Sequence, residues 1–114
     1  MLNQKTKSLI SDALSAGYKT AYVCGAISKV GAENAKKIFN SFSEEIQKLG
    51  MNTSSTFTGC HPQNRKKSVY ERKGVEIMMQ CDIVIAMDNY YISDGARKQI
   101  KIAELMGIPV IKVR

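Results

Sequence analysis

The residues of this 114-residue chain with the clearest chemical potential lie in its last third, CDIVIAMDNYYISDGARKQIKIAELMGIPVIKV, where one polar residue, Gln99, falls on an otherwise apolar stripe. Ile83 to Ala86 form an apolar run too short for a helix, and Val110, Ile111 and Val113 form another after Gly107 and Pro109, so both read as strands. Between them Ala96, Gln99, Ile100, Ala103 and Met106 recur at spacings of three and four. A helix starting near Asp94 lays that stripe on a sheet and leaves Arg97, Lys98 and Lys101 to water. In the first turns of a helix after a parallel strand, the Gln99 amide hangs over the carboxyl edge of the sheet, where open α/β folds bind ligands. An amide there can donate to and accept from a ligand. A satisfied polar residue at a helix margin fits the position equally well.

Two loops supply further polar groups to the same edge. Gly25-Ala26-Ile27-Ser28 combines a flexible glycine, a hydroxyl and backbone N–H groups near a helix start, which can hold a phosphate or a sugar hydroxyl. It is neither a P-loop nor the dinucleotide glycine fingerprint, and a simple turn also explains it. The second loop, Asp88 to Gly95, offers carboxylates, hydroxyls and two tyrosines; capping of the next helix is the expected structural role of Ser93 or Asp94.

The elements needed to position these loops can be read in order. Residues 3–16 carry Leu9, Ile10, Ala13 and Leu14 at helical spacing, giving a leading helix within 1–18 that Gly17 stops. Strands are expected near 20–25, 52–57, 82–87 and 109–113. A helix from about Ala32 to Leu49 buries Ala35, Ile38, Phe39, Phe42 and Ile46 and ends at Gly50, and another runs from about Ser68 to Gln80. This alternation implies right-handed crossovers, hence a three-layer α/β fold of Rossmann-like type: a four-stranded parallel sheet in the order 2-1-3-4 with helices on both faces. A single domain over 1–114, with its core at 20–113, suits the length, and no repeat or linker divides it.

Composition limits the setting. With 44% hydrophobic and 24% charged residues the chain is ordinary for a soluble domain, and no apolar stretch approaches the roughly 20 residues of a membrane span. The amino terminus lacks the apolar core of a signal peptide, and three cysteines without a framework of spacings fit a reducing compartment, so a cytoplasmic location is expected. Cys24 and Cys81 read as small buried hydrophobes. Cys60-His61 has no second ligand pair at suitable spacing, so no metal site and no cofactor are expected. The net charge of +7 suggests an anionic partner. Its densest group, Arg65, Lys66, Lys67, Arg72 and Lys73, has only Tyr70 for stacking, so nucleic-acid binding is not favoured over a small anion such as a nucleotide, or over simple solubility.

The motifs AYVCGAIS, CDIVIAMDNYYISDGA and the helix running into GIPV, taken in order over residues 20–113, resemble the nucleoside 2-deoxyribosyltransferase superfamily, in particular its small uncharacterised domains found in phage and mobile-element genomes. The resemblance implies a nucleoside or nucleotide at the carboxyl edge and often a homodimer. It also implies a glutamate nucleophile eight residues before the glycine of GxPV, which here is Gln99, and an aspartate eight residues before that of the CD pair, which here is Gly74. A carboxylate suits the first position because it stabilises an oxocarbenium-like transition state and forms the glycosyl intermediate; an amide does neither. Gly74 falls on the inward stripe of its helix with Tyr70, Ile77, Met78 and Cys81, where glycine costs about 1 kcal/mol against alanine, and space in the cleft is the reason expected for it. Tyr22 matches the family's strand-one tyrosine and either packs against a ligand or belongs to the core. Glu71 and Glu76 are expected on a solvated face.

Two departures at the chemically decisive positions fit natural divergence better than a single laboratory exchange. Three functions follow: a nucleoside- or nucleotide-binding protein with a degenerate glycosidase site, which is favoured; an active N-glycosidase or deoxyribosyltransferase in which Asp88 or Asp94 replaces the glutamate; and a protein- or nucleic-acid-interaction scaffold.

Overall fold

A computed structural model describes residues 2–59 and 67–113. It holds a parallel sheet of β1 (Thr20–Cys24), β2 (Asn52–Ser54), β3 (Ile83–Ala86) and β4 (Val110–Lys112) in the order β2-β1-β3-β4, as the sequence pattern predicts. Helices α1 (Gln4–Ser15), α2 (Ala32–Lys48), α3 (Thr56–Gly59), α4 (Lys67–Met78) and α5 (Asp94–Leu105) surround it. No described helix is long and apolar enough to cross a membrane.

The period of two along each strand divides the core between the sheet's faces. Ala21 and Val23 of β1 join Ile83 and Ile85 of β3 against Ile10 of α1 and Phe39, Phe42 and Ile46 of α2. The alternate residues, Tyr22, Cys24, Val84 and Ala86, pack with Met78 at the end of α4 and with Ala96, Ile100 and Ala103 of α5. Register is parallel throughout, Tyr22 standing beside Val84 and Cys24 beside Ala86. The strand order reverses direction of growth between β1 and β3, which places the crevice at their carboxyl ends, as expected for such a sheet.

Several local expectations change. Asn3 caps α1, its side-chain oxygen accepting from Thr6 N–H at 2.8 Å, but Leu9 is exposed and the buried stripe starts from Thr6 and Ile10. Ile38 on α2 and Met106 after α5 are also exposed. The second strand stops at Ser54: Ser55 Oγ accepts from Phe57 N–H at 3.2 Å and Thr58 Oγ1 accepts from Ser55 N–H at 2.9 Å, local bonds that coil residues expected to be extended into α3. Gly17 and Gly50 close α1 and α2 with φ of 98° and 104°, a backbone that side chains strain to adopt.

Asp82 fastens β3 to β1 at their amino ends. Its carboxylate accepts from Lys19 N–H at 2.8 Å and Thr20 N–H at 3.1 Å, while Asp82 N–H donates to Thr20 Oγ1 at 3.0 Å. Those backbone donors hold its carboxyl below the ordinary value of 3.8. A depressed folded-state value stabilises the fold above the unfolded pKa and is lost as pH falls through the folded one. Asp82→Asn should therefore lower the urea midpoint at pH 7, with the difference from the unmodified chain shrinking below about pH 4. An unchanged difference at pH 3 would refute this role.

Candidate functional site

The carboxyl ends of β1 and β3 are drawn together closely at position 25, where any side chain would require Met87 and Asn89 to move. A β-carbon there would collide with Met87 Cε and lie 2.9 Å from Asn89 Oδ1, the atom that accepts from Ala26 N–H at 3.1 Å. Asn89 thus binds the Gly25–Ser28 loop to the end of β3. Ala26 and Ile27 turn into the core, so only the backbone at Gly25, part of Ile27 and Ser28 face the crevice.

Opposite them, α5 begins at Ser93, whose Oγ accepts from Ala96 N–H at 3.1 Å. Ser93 is the cap. Asp94 instead pairs with Arg97 on the exposed side of the helix and does not line the crevice. Asp88 also stays outside it, exposed and facing α2 and the chain after β4. Neither aspartate offered by the sequence as a replacement acid reaches the site.

One helical turn into α5, Gln99 is 7% exposed and committed at both ends of its amide. Its Oε1 accepts from Cys24 Sγ at 3.3 Å, and its amide hydrogen-bonds the Tyr22 hydroxyl, which also meets Thr56 Oγ1 at 2.8 Å. Both readings of Gln99 hold here: the residue is a satisfied buried amide and it lines the crevice. Tyr22 itself is fully buried core, so its ring has no surface for a ligand. Burial pushes the Tyr22 phenol far above its usual range, against the smaller opposite pull of Thr56, and pushes the Cys24 thiol up to about 12. The network is neutral at every physiological pH.

Gly74 is the reason the network fits. A β-carbon at 74 would lie 2.5 Å from Gln99 Nε2, 2.7 Å from the Tyr22 hydroxyl and 2.9 Å from Thr56 Oγ1. The space expected at this glycine is therefore filled by the protein's own polar groups, and an aspartate there has no room.

Sequence reasoning misplaced Glu71. Residues 71, 74, 75 and 78 share one face of α4, so Glu71 continues the buried stripe of Gly74 and Met78 by one more turn, a spacing readable in advance. Its Oε1 is buried, and a β-carbon on Gly95 would come within 2.9 Å of it. Glu71 is the carboxylate at the narrow end of the crevice among the described residues, whereas Glu76 is exposed, pairs with Lys73 at 3.4 Å and borders only the neighbouring groove between α4 and α5. Thr56 and Asn89 were also missed. Nothing in a serine- and threonine-rich stretch marks one hydroxyl as structural.

The crevice has a narrow end and a wide one. Between the β1 loop and α5 the free volume is about 20 Å³, enough for one water. Glu71, Gly95 and Gln99 also line a groove of about 510 Å³ between α4 and α5, walled by Val75 and Ile102 and flanked by Arg72, Glu76 and Lys98. No cluster of three or more metal-ligating side chains occurs among the described residues; Cys60, His61, Arg65 and Lys66 lie outside them.

Gly74→Ala tests the packing. In an ordinary helix interior this change gains about 1 kcal/mol. Here it should destabilise by about 1–3 kcal/mol in urea unfolding, the usual cost of overpacking, because the buried Tyr22 ring cannot retreat. A stabilised variant would show that the amide network is loosely held.

A search of curated proteins finds no match. The family described as Domain of unknown function (DUF4406) matches residues 19–112, from the start of β1 to the end of β4 and so the whole sheet with the crevice it forms. The chain belongs to the DUF4406 family.

Proposed function

We propose that this protein binds a nucleoside or nucleotide in the crevice without cleaving its glycosidic bond, as a member of the nucleoside 2-deoxyribosyltransferase-like superfamily whose catalytic site has degenerated. The supporting observation is Gln99. At the position where the resemblance implies a nucleophilic glutamate stands a neutral amide, held between Cys24 and Tyr22 and unable to attack an anomeric carbon or carry negative charge. The groove volume lies within the roughly 300–1,000 Å³ of small-molecule sites, and Arg72 and Lys98 suit a phosphate at its rim.

A homodimer in the cytoplasm belongs to the same reading, supported by the exposed apolar surface of Leu9 and Tyr91. Light scattering that finds a monomer at high micromolar concentration removes the dimer from it.

One observation favours the enzymatic alternative: Glu71 brings a carboxylate to the crevice by another route. Incubation of the purified chain with purine and pyrimidine nucleosides and their 5′-monophosphates separates the two. Loss of a nucleophile costs about 10⁴-fold or more in rate, so free base should stay undetected by chromatography, while a ligand at 100 times its dissociation constant adds about 2.7 kcal/mol of stability in a thermal-shift measurement. Base release at about 1 s⁻¹ or faster, abolished by Glu71→Gln, establishes the enzyme instead. If no nucleoside or nucleotide raises the melting temperature, the scaffold reading stands.

A further inference from the structure

Resting on the nucleoside reading above, we propose that Glu71 is the residue that reads the ligand's sugar, accepting hydrogen bonds from ribose hydroxyls at the narrow end of the crevice while the base lies in the α4–α5 groove.

The assignment starts from what the buried polar groups of the crevice are already doing; the exposed Ser28 hydroxyl also faces it. Ser93 Oγ holds Ala96 N–H, Thr56 Oγ1 holds the Tyr22 hydroxyl, and the Gln99 amide is engaged by Cys24 and Tyr22. A carboxylate accepts only and has about four lone-pair positions, so Glu71 keeps capacity for a ligand even while it meets neighbouring protein groups. Its placement is built. The side chain lies against Gly95 in the first turn of α5, where the positive end of the helix favours a carboxylate, and a β-carbon at 95 would press to 2.9 Å on Oε1 and displace it.

Charge and size then select the ligand group. A carboxylate repels phosphate, so the anionic end of a nucleotide lies away from Glu71, towards Lys98 and Arg72 at a rim where Glu76 is offset by its pair with Lys73. The group that approaches must be a hydrogen-bond donor. The narrow end, at about 20 Å³, admits a hydroxyl and excludes a ring, whereas the wide end offers Val75 and Ile102 as apolar walls for a base. Glu71 lines both volumes, so a ligand reaching from one to the other sets its sugar hydroxyls beside that carboxylate. This geometry favours ribonucleosides over their deoxy counterparts.

The test is isothermal titration of the full chain with adenosine, guanosine, cytidine and uridine, each beside its 2′-deoxy and 2′,3′-dideoxy form. For the nucleoside that binds, loss of both hydroxyls should weaken affinity by about 10-fold or more, as expected for hydrogen bonds to a charged group. Glu71→Gln and Gly95→Ala should each abolish that preference. Equal binding of the ribose and dideoxy forms to the unmodified chain overturns the inference alone, and it does so even if both variants fail to fold. A Glu71→Gln variant that melts at lower temperature yet keeps the preference also overturns it, leaving Glu71 a stabiliser of the α5 terminus. Failure of every nucleoside to bind overturns the inference together with the reading beneath it.

Discussion

The structure turns on an amide that cannot leave its place. Gln99 is buried between a thiol and a phenol, and an unpaired polar group there would cost about 1–3 kcal/mol, so Cys24, Tyr22 and Thr56 must stay where their hydrogen bonds require. That fixes more than one side chain. Tyr22 and Cys24 lie on β1, Thr56 begins α3, Gln99 rides on α5, and α4 approaches closely only because position 74 has no β-carbon. Four elements converge on one small set of polar atoms at the sheet's carboxyl edge. The same set makes the site chemically quiet, since burial keeps both the phenol and the thiol protonated.

Much of this architecture was legible in the sequence because apolar period decides it. Ile83 to Ala86 and Val110 to Val113 are short, β-rich and bounded by turn residues, and the helices between strands show spacings of three and four that leave few topologies open. The parallel order followed from the alternation itself. What failed to show were places where side-chain hydrogen bonds overrule propensity: Ser55 and Thr58 end β2 early and coil Thr56 into contact with Tyr22. Element ends were less visible than element cores.

The site was half legible. Gln99, Ser93, Gly95 and Gly25 do meet at the crevice, since a helix after a parallel strand points its first turns there. Asp88 and Asp94 do not: Asp88 is exposed in the loop after β3, and Asp94, first residue of α5, turns to the exposed side with Arg97 as partner. Glu71 was set aside as solvated since glutamate on a helix usually is. Its place on the stripe of Gly74 and Met78 was readable from spacing; what spacing within α4 does not reveal is Gly95 of α5, against which its Oε1 rests. Gly74 shows the reverse case: the sequence pointed to a small residue for reasons of space, and the structure fills that space with the protein's own hydroxyls and amide.

The central claim, a crevice that binds a nucleoside and leaves it intact, is tested most directly by one nuclear magnetic resonance titration of the unmodified, isotope-labelled chain. Backbone amides and the ligand's anomeric proton are followed in the same sample over hours. The account predicts shifts concentrated at Gly25 to Ser28, Gly95 to Gln99 and Glu71 to Val75, with an anomeric signal that persists undiminished. Shifts confined to other surfaces, or an anomeric signal that decays as free base appears, would contradict it.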